Sequence, residues 1–184
     1  VSDKDAPILE EIEKQTDRGS ALIASAYLEQ RLLAAVQART NRHPKIEGNF
    51  YRGSGPVGSF SAKIDLGLLL GIYEPKIHSY LHWVREIRNE FAHEPEPRDF
   101  SSQRIKDLAK NLTFWAKFQL KNKATGQVIR IEIDDPKSPR EAFLNAVKLL
   151  LLFLDMETKQ LPLRAPAPPV MPSLTSMAPK QATP

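Results

Sequence analysis

The sequence predicts a mainly α-helical chain: a helical bundle with a small appended β-hairpin and a disordered C-terminal tail. Three observations predict it. Apolar residues recur at three- and four-residue steps through several long segments. One segment, 113–133, changes to strand-forming residues. The stretch 161–184 holds seven of the fifteen prolines and no acidic residue, a mixture that cannot build a core. The division that follows is a helical domain over 1–160 and a disordered Pro-rich tail over 161–184, with no internal repeat.

In chain order, residues 5–16 read as a short acidic amphipathic helix. Ser20 to about Arg39 is rich in Ala and Leu. There Leu22, Ile23, Ala26, Tyr27, Leu32, Leu33 and Val36 form a wide apolar face, as expected of a core helix. NRHPKIEGNFYRGSGPVGS is punctuated by Gly, Pro and Asn and reads as a loop. Ser59 or Ser61 can cap a helix over about 61–71. Ile64, Leu66, Leu68, Leu69 and Leu70 make it apolar on nearly all sides, so a central place is expected. Gly71 can end it in a left-handed cap.

Pro75 suits the first turn of the next helix, where its missing N–H has no intrahelical partner. That helix, 75–93, has the clearest period in the chain: Ile77, Tyr80, Leu81, Val84, Ile87 and Phe91 share one face. EPEP at 94–97 stops it, and SSQRIKDLAKNL starts another helix at Ser101. TFWAKFQL and QVIRIEI, joined by turn-forming KNKATG, predict the hairpin. Ser138-Pro139-Arg140-Glu141 is a capping box with Pro at the first helical position. It opens a last helix to about Lys159, whose LLLLFL stretch must be buried.

Composition excludes several chemistries. The 184 residues contain no cysteine, so disulfides, thiolate nucleophiles and cysteine-based zinc sites are out. A reducing, cytoplasmic setting fits. No apolar run is long enough for a membrane span, the start has no signal-peptide core, and Val at position 1 suggests trimming. The formal charge is +4, with 26 basic and 22 acidic residues. Arg164 and Lys180 lie in the tail, so residues 1–160 carry 26 − 2 = 24 basic against 22 acidic. A near-neutral body weakens the pull toward nucleic acid that a pI of 9.3 suggests.

Gly53-Ser54-Gly55-Pro56-Val57-Gly58 matches G-x-G-x-x-G. A dinucleotide site needs a strand before it and an acid on a later strand; here a loop precedes and helices follow, and Pro56 removes a backbone donor. Glycines shaping a tight start to a helix are the better reading. No serine nucleophile elbow, phosphate loop with lysine, or HExxH is present.

On the 75–93 helix, His78, His82, Arg85, Asn89 and His93 fall within a stripe about 80° wide, opposite the core face, with Arg88 on its flank. A solvated face explains them, yet three of the four histidines lie here. His78 and His82 have H-x-x-x-H spacing and could share a metal if His93 or a distant acid supplied a third ligand. Ser79 stands where zinc hydrolases carry glutamate. No metal and no cofactor is therefore expected.

Arg88-Asn89-Glu90-Phe91-Ala92-His93 resembles the R-x4-6-H motif of HEPN domains, α-helical dimers many of which are metal-independent ribonucleases. That resemblance implies Arg88 as phosphate anchor, Asn89 as orienting group and His93 as proton carrier. The chemistry is coherent, because arginine grips phosphate and histidine exchanges protons near neutral pH. RNA supplies its own 2′-hydroxyl nucleophile. The structural alternative pairs Arg88 with Glu90, Glu94 or a neighbouring helix.

Basic charge is local. Arg98 to Arg130 holds eight basic and two acidic residues, and Arg31 to Lys63 six and one. With Phe114, Trp115 and Phe118 nearby, Arg85, Arg104, Lys106, Lys110, Lys117, Lys121 and Lys123 are candidate nucleic-acid contacts. A soluble surface with aromatics turned inward is the plainer reading. No helix-turn-helix with a basic recognition helix is visible.

From Gly53 to about Arg104, GPVGSFSAKIDLGLLLGI, then a helix ending in REIRNEFAH, an acidic turn and a further helix resemble the bacterial mannitol operon repressor family. The leucine-rich last helix fits as well. The resemblance implies an all-α fold, a homodimer and transcriptional regulation. Since that family lacks a familiar DNA-binding motif, it points to a regulatory protein partner. Its members carry arginine and histidine where Arg88 and His93 stand. The hairpin region and the Pro-rich tail depart from it. The sequence thus offers a regulator working through protein contacts, a HEPN-type metal-independent endoribonuclease or its inactive descendant, and simple RNA binding through 98–130, with no membrane association.

Overall fold

In a computed structural model of the chain, described residues are 5–41, 43–93, 99–112, 117–121, 128–132 and 135–159, the two strands as backbone. Their elements are α1 (Ala6–Lys14), α2 (Asp17–Ala38), α3 (Pro44–Phe50), α4 (Phe60–Leu69), α5 (Pro75–His93), α6 (Gln103–Lys110), β1 (Lys117–Lys121), β2 (Val128–Glu132) and α7 (Pro139–Lys159). The architecture is mainly α, as expected.

Helix α2 is the axis of the bundle and packs against α7, α5, α4 and α1. Its buried positions are Ser20, Ala21, Ala24, Ser25, Leu28, Leu32, Ala35 and Val36. The expected face was different: Leu22, Ile23, Tyr27 and Leu33 are only half-buried and Ala26 is exposed. Small residues face the centre because they let neighbouring backbones approach. The helix also starts before Ser20, capped by Thr16, whose hydroxyl accepts from Gly19 N–H at 3.2 Å.

The start of α7 is tied to the α1–α2 turn through Arg140. Its guanidinium donates to Glu13 O at 3.0 Å, Gln15 O at 2.8 Å and Ser20 Oγ at 2.8 Å. Ser138 Oγ accepts from Glu141 N–H at 3.1 Å, while the Glu141 carboxylate reaches Lys137 N–H rather than the Ser138 N–H of an ideal capping box. The LLLLFL stretch buries Leu149, Leu150, Leu151 and Leu154. Phe100 joins α5 to α7, with ring centroids 5.0 Å from Phe91 and 5.5 Å from Phe143.

The segment read as a loop after α2 contains α3. Pro44 takes the first turn, and Glu47 Oε1 accepts from His43 N–H at 2.8 Å. Then Ser59 caps α4 by accepting from Ala62 N–H at 3.1 Å. The central position expected for α4 is corrected. Its inner face is Phe60, Lys63, Ile64 and Gly67, and Leu69 is 82% exposed. Helix α5 agrees with its periodicity: Ile77, Tyr80, Leu81, Val84, Ile87 and Phe91 are all buried.

The backbone pairs β1 with β2 antiparallel, Lys117 opposite Glu132 and Lys121 opposite Val128. Residues 113–116, the expected turn KNKATG after Lys121, with Lys123 in it, and Gln127 lie outside the described residues, as does the tail 161–184.

Candidate functional site

Two helices joined by a tight turn, α4 and α5, carry the polar groups of interest. Gly71 has φ of 64°, the left-handed conformation that ends α4. Its N–H donates to Leu68 O at 2.9 Å and the next N–H, of Ile72, to Gly67 O at 3.0 Å. Tyr73 then folds back, its hydroxyl donating to Ile64 O at 2.6 Å. Burial pushes the Tyr73 phenol well above its ordinary range, with the nearby Asp65 charge acting in the same direction.

This turn sets Asp65, on the outer side of α4, against the first turns of α5. Asp65 Oδ1 lies 2.8 Å from His78 Nε2 and 3.2 Å from His82 Nε2. The two Nε2 atoms are 3.2 Å apart. The imidazole rings meet edge to face at 4.5 Å between centroids. The contact with His78 first, and that with His82 after it, holds the Asp65 carboxyl below its ordinary range against the opposing effect of burial. The i,i+4 histidine pair was legible in the sequence. Asp65 was not, and it is the distant acid that the pair lacked.

At the other end of α5, the Arg88 Nη1–H donates to Asn89 Oδ1 at 3.0 Å, with both residues half-buried. His93, the last residue of the helix, is exposed. Five residues of α-helix separate Arg88 from His93 by about 140° around the axis and about 7.5 Å along it. One copy of the chain therefore does not bring the two onto one face. Arg85 is half-buried on the stripe between the two groups, and its Nε has no hydrogen-bond partner among the described residues.

Among the described side chains, the candidate nucleic-acid contacts are divided between α5, which carries Arg85, and α6. Arg104 and Lys106 sit on α6 with Lys110; Arg104 Nε is 3.6 Å from Glu90 on α5, and Lys110 Nζ is 2.8 Å from Asp107. Lys106 and Lys110 line a groove of about 280 Å³ with Lys137 and Ser138 of the α7 start. Lys117 and Lys121 are backbone positions at the two ends of β1. A second groove of about 500 Å³ lies between α2 and α3, lined by Gln30, Gln37, Tyr51 and Arg52.

Three of the six cations in the basic run 31–63 are paired inside the fold. Arg31 pairs with Asp155 at 2.9 Å, Arg39 with Glu157 at 2.9 Å and Lys63 with Glu29 at 2.6 Å. Lys63 Nζ also donates to Gly58 O at 2.6 Å, plugging the glycine loop from within. A Cβ on Gly58 would come 2.1 Å from Gly53 O, so that glycine permits a close backbone approach. Helix α3 precedes the loop, where a dinucleotide fold would have a strand.

Comparison with known protein families, curated proteins and solved structures finds no match to the chain. Among the described residues, no helix is long and apolar enough to cross a membrane.

Proposed function

We propose that the protein is a regulatory helical module, cytoplasmic and homodimeric, that controls transcription through contact with a protein partner, as its resemblance to mannitol operon repressors implies. One observation supports this over a nucleic-acid reading: five cations of the two basic runs are paired with the fold's own acids. Arg31, Arg39, Lys63, Arg104 and Lys110 each face a carboxylate within 4 Å. Nucleic-acid affinity depends on cations left to displace counterions from phosphates. Leu69, 82% exposed on α4, is the side chain this reading assigns to such a contact. The test is Leu69→Glu. Light scattering should give a dimer for the natural chain and a weakened one for the variant. Cross-linking in cells should yield a discrete regulatory protein that the variant loses. A monomer that retains RNA or DNA at physiological salt would contradict the reading.

The Arg88–Asn89 hydrogen bond beside an exposed His93 favours a second reading, a metal-independent endoribonuclease. Arg88 would hold the scissile phosphate, Asn89 would orient Arg88, and His93 would move the proton: RNA's 2′-hydroxyl attacks phosphorus and gives up its proton, the P–O5′ bond breaks, the 5′-oxygen leaves protonated, and a 2′,3′-cyclic phosphate remains. A second copy would complete the cleft. RNA cleavage that persists in EDTA and falls about 100-fold or more in Arg88→Ala and in His93→Ala is the expected result. Intact RNA after prolonged incubation would eliminate it.

A further inference from the structure

We propose that Asp65, His78 and His82 form a zinc-binding site at the α4–α5 hairpin. The three donor atoms converge: Asp65 Oδ1, His78 Nε2 and His82 Nε2 are separated by 2.8, 3.2 and 3.2 Å. A tetrahedral zinc with bonds of about 2.0–2.1 Å holds its ligand atoms about 3.3 Å apart, close to this spacing. Two imidazole nitrogens and one carboxylate oxygen suit zinc, whereas magnesium and calcium select oxygen.

Hydrogen bonding alone does not satisfy this arrangement. An ionised carboxylate accepts and cannot donate, and a neutral imidazole has one N–H. If both Nε2 atoms carry protons for Asp65, the two N–H groups oppose each other at 3.2 Å. If one Nε2 gives up its proton to accept from the other, its lone pair faces the carboxylate oxygen. With the carboxylate ionised and the imidazoles neutral, no placement of protons makes all three contacts favourable. A single cation that accepts one lone pair from each donor does.

Access fits as well. The side chains are 26% exposed for His78, 22% for His82 and 57% for Asp65. Three protein ligands at a partly open position leave a fourth site for water or an exchangeable donor, the pattern of open rather than closed zinc sites. The third ligand is not His93, which lies about 16 Å further along α5 than His82. The site stands independently of the regulatory reading.

The full chain, stripped with chelator and dialysed, is titrated with Zn2+ by calorimetry and with Co2+ by visible absorption. The expected result is one ion per chain, the intense bands of four-coordinate Co2+, and a rise in melting temperature. Asp65→Asn and His82→Gln, both polar replacements that keep the hairpin's size, should each weaken Zn2+ binding at least about tenfold. His43→Ala and His93→Ala should leave it unchanged. Melting of each metal-free variant shows that it is folded. Absence of a stoichiometric ion, or an affinity in Asp65→Asn and His82→Gln equal to that of the natural chain, would overturn the site.

Discussion

Lys63 joins three segments through one ammonium group. Only 4% exposed, it reaches Glu29 on α2 and Gly58 O in the loop ahead of α4. Replacing it with Met keeps the length of the stem and strands both acceptors. Loss of one member of a hydrogen-bonded pair costs more than the pair contributes, so Lys63→Met should lose about 2–3 kcal/mol. Urea unfolding should show a lower midpoint at unchanged slope. Adding Glu29→Leu should restore part of it, because no orphan carboxylate remains. Asp65 gives a pH signature. Its carboxyl titrates below the ordinary 3.8, chiefly through His78. A folded-state value below the unfolded one stabilises above the unfolded value, and the benefit fades as pH falls through the folded one. Melting curves of metal-free protein should therefore show the gap between the natural chain and Asp65→Asn closing below about pH 4. At this scale the sequence was partly legible. His78 and His82 are helix neighbours by arithmetic, while Asp65 stands 13 and 17 residues away and meets them only because the chain reverses at Gly71.

The elements differ in how plainly their sequences speak. Helix α5 faces core on one side and polar surroundings on the other, so periodicity alone located its six core residues. Helix α4 carries leucines all round, and nothing in composition separates buried Ile64 from Leu69, which is 82% exposed. Helix α3 buries no side chain, so it has no apolar stripe to read. Its signals are Pro44 and the backward reach of Glu47. Two glycines in this region should respond oppositely to alanine. At Gly58 the added Cβ would meet the Gly53 carbonyl, which is backbone and cannot rotate away, so Gly58→Ala should cost more than about 1 kcal/mol. At Gly48, inside α3, a Cβ meets nothing within 4 Å. There the gain in helix propensity should stabilise by roughly 0.5–1 kcal/mol. Thermal melts of the two variants check both signs.

At the scale of the whole molecule, the charge distribution separates the functional readings. Counts along the chain suggested basic patches. The fold brings Asp155 to Arg31 and Glu157 to Arg39 across 124 and 118 residues of sequence, a pairing that no local window can register. Two cations of the 31–63 run, Arg31 and Arg39, thus serve as ties between α2 and α7. The proposal that the chain works through a protein partner expects no stable hold on nucleic acid. Sedimentation velocity of the full chain, run with labelled single- and double-stranded RNA and DNA at about 0.15 M salt, tests this most directly. A dimer that sediments free of nucleic acid is the expected result. Co-sedimentation of the chain with any of these nucleic acids would contradict it.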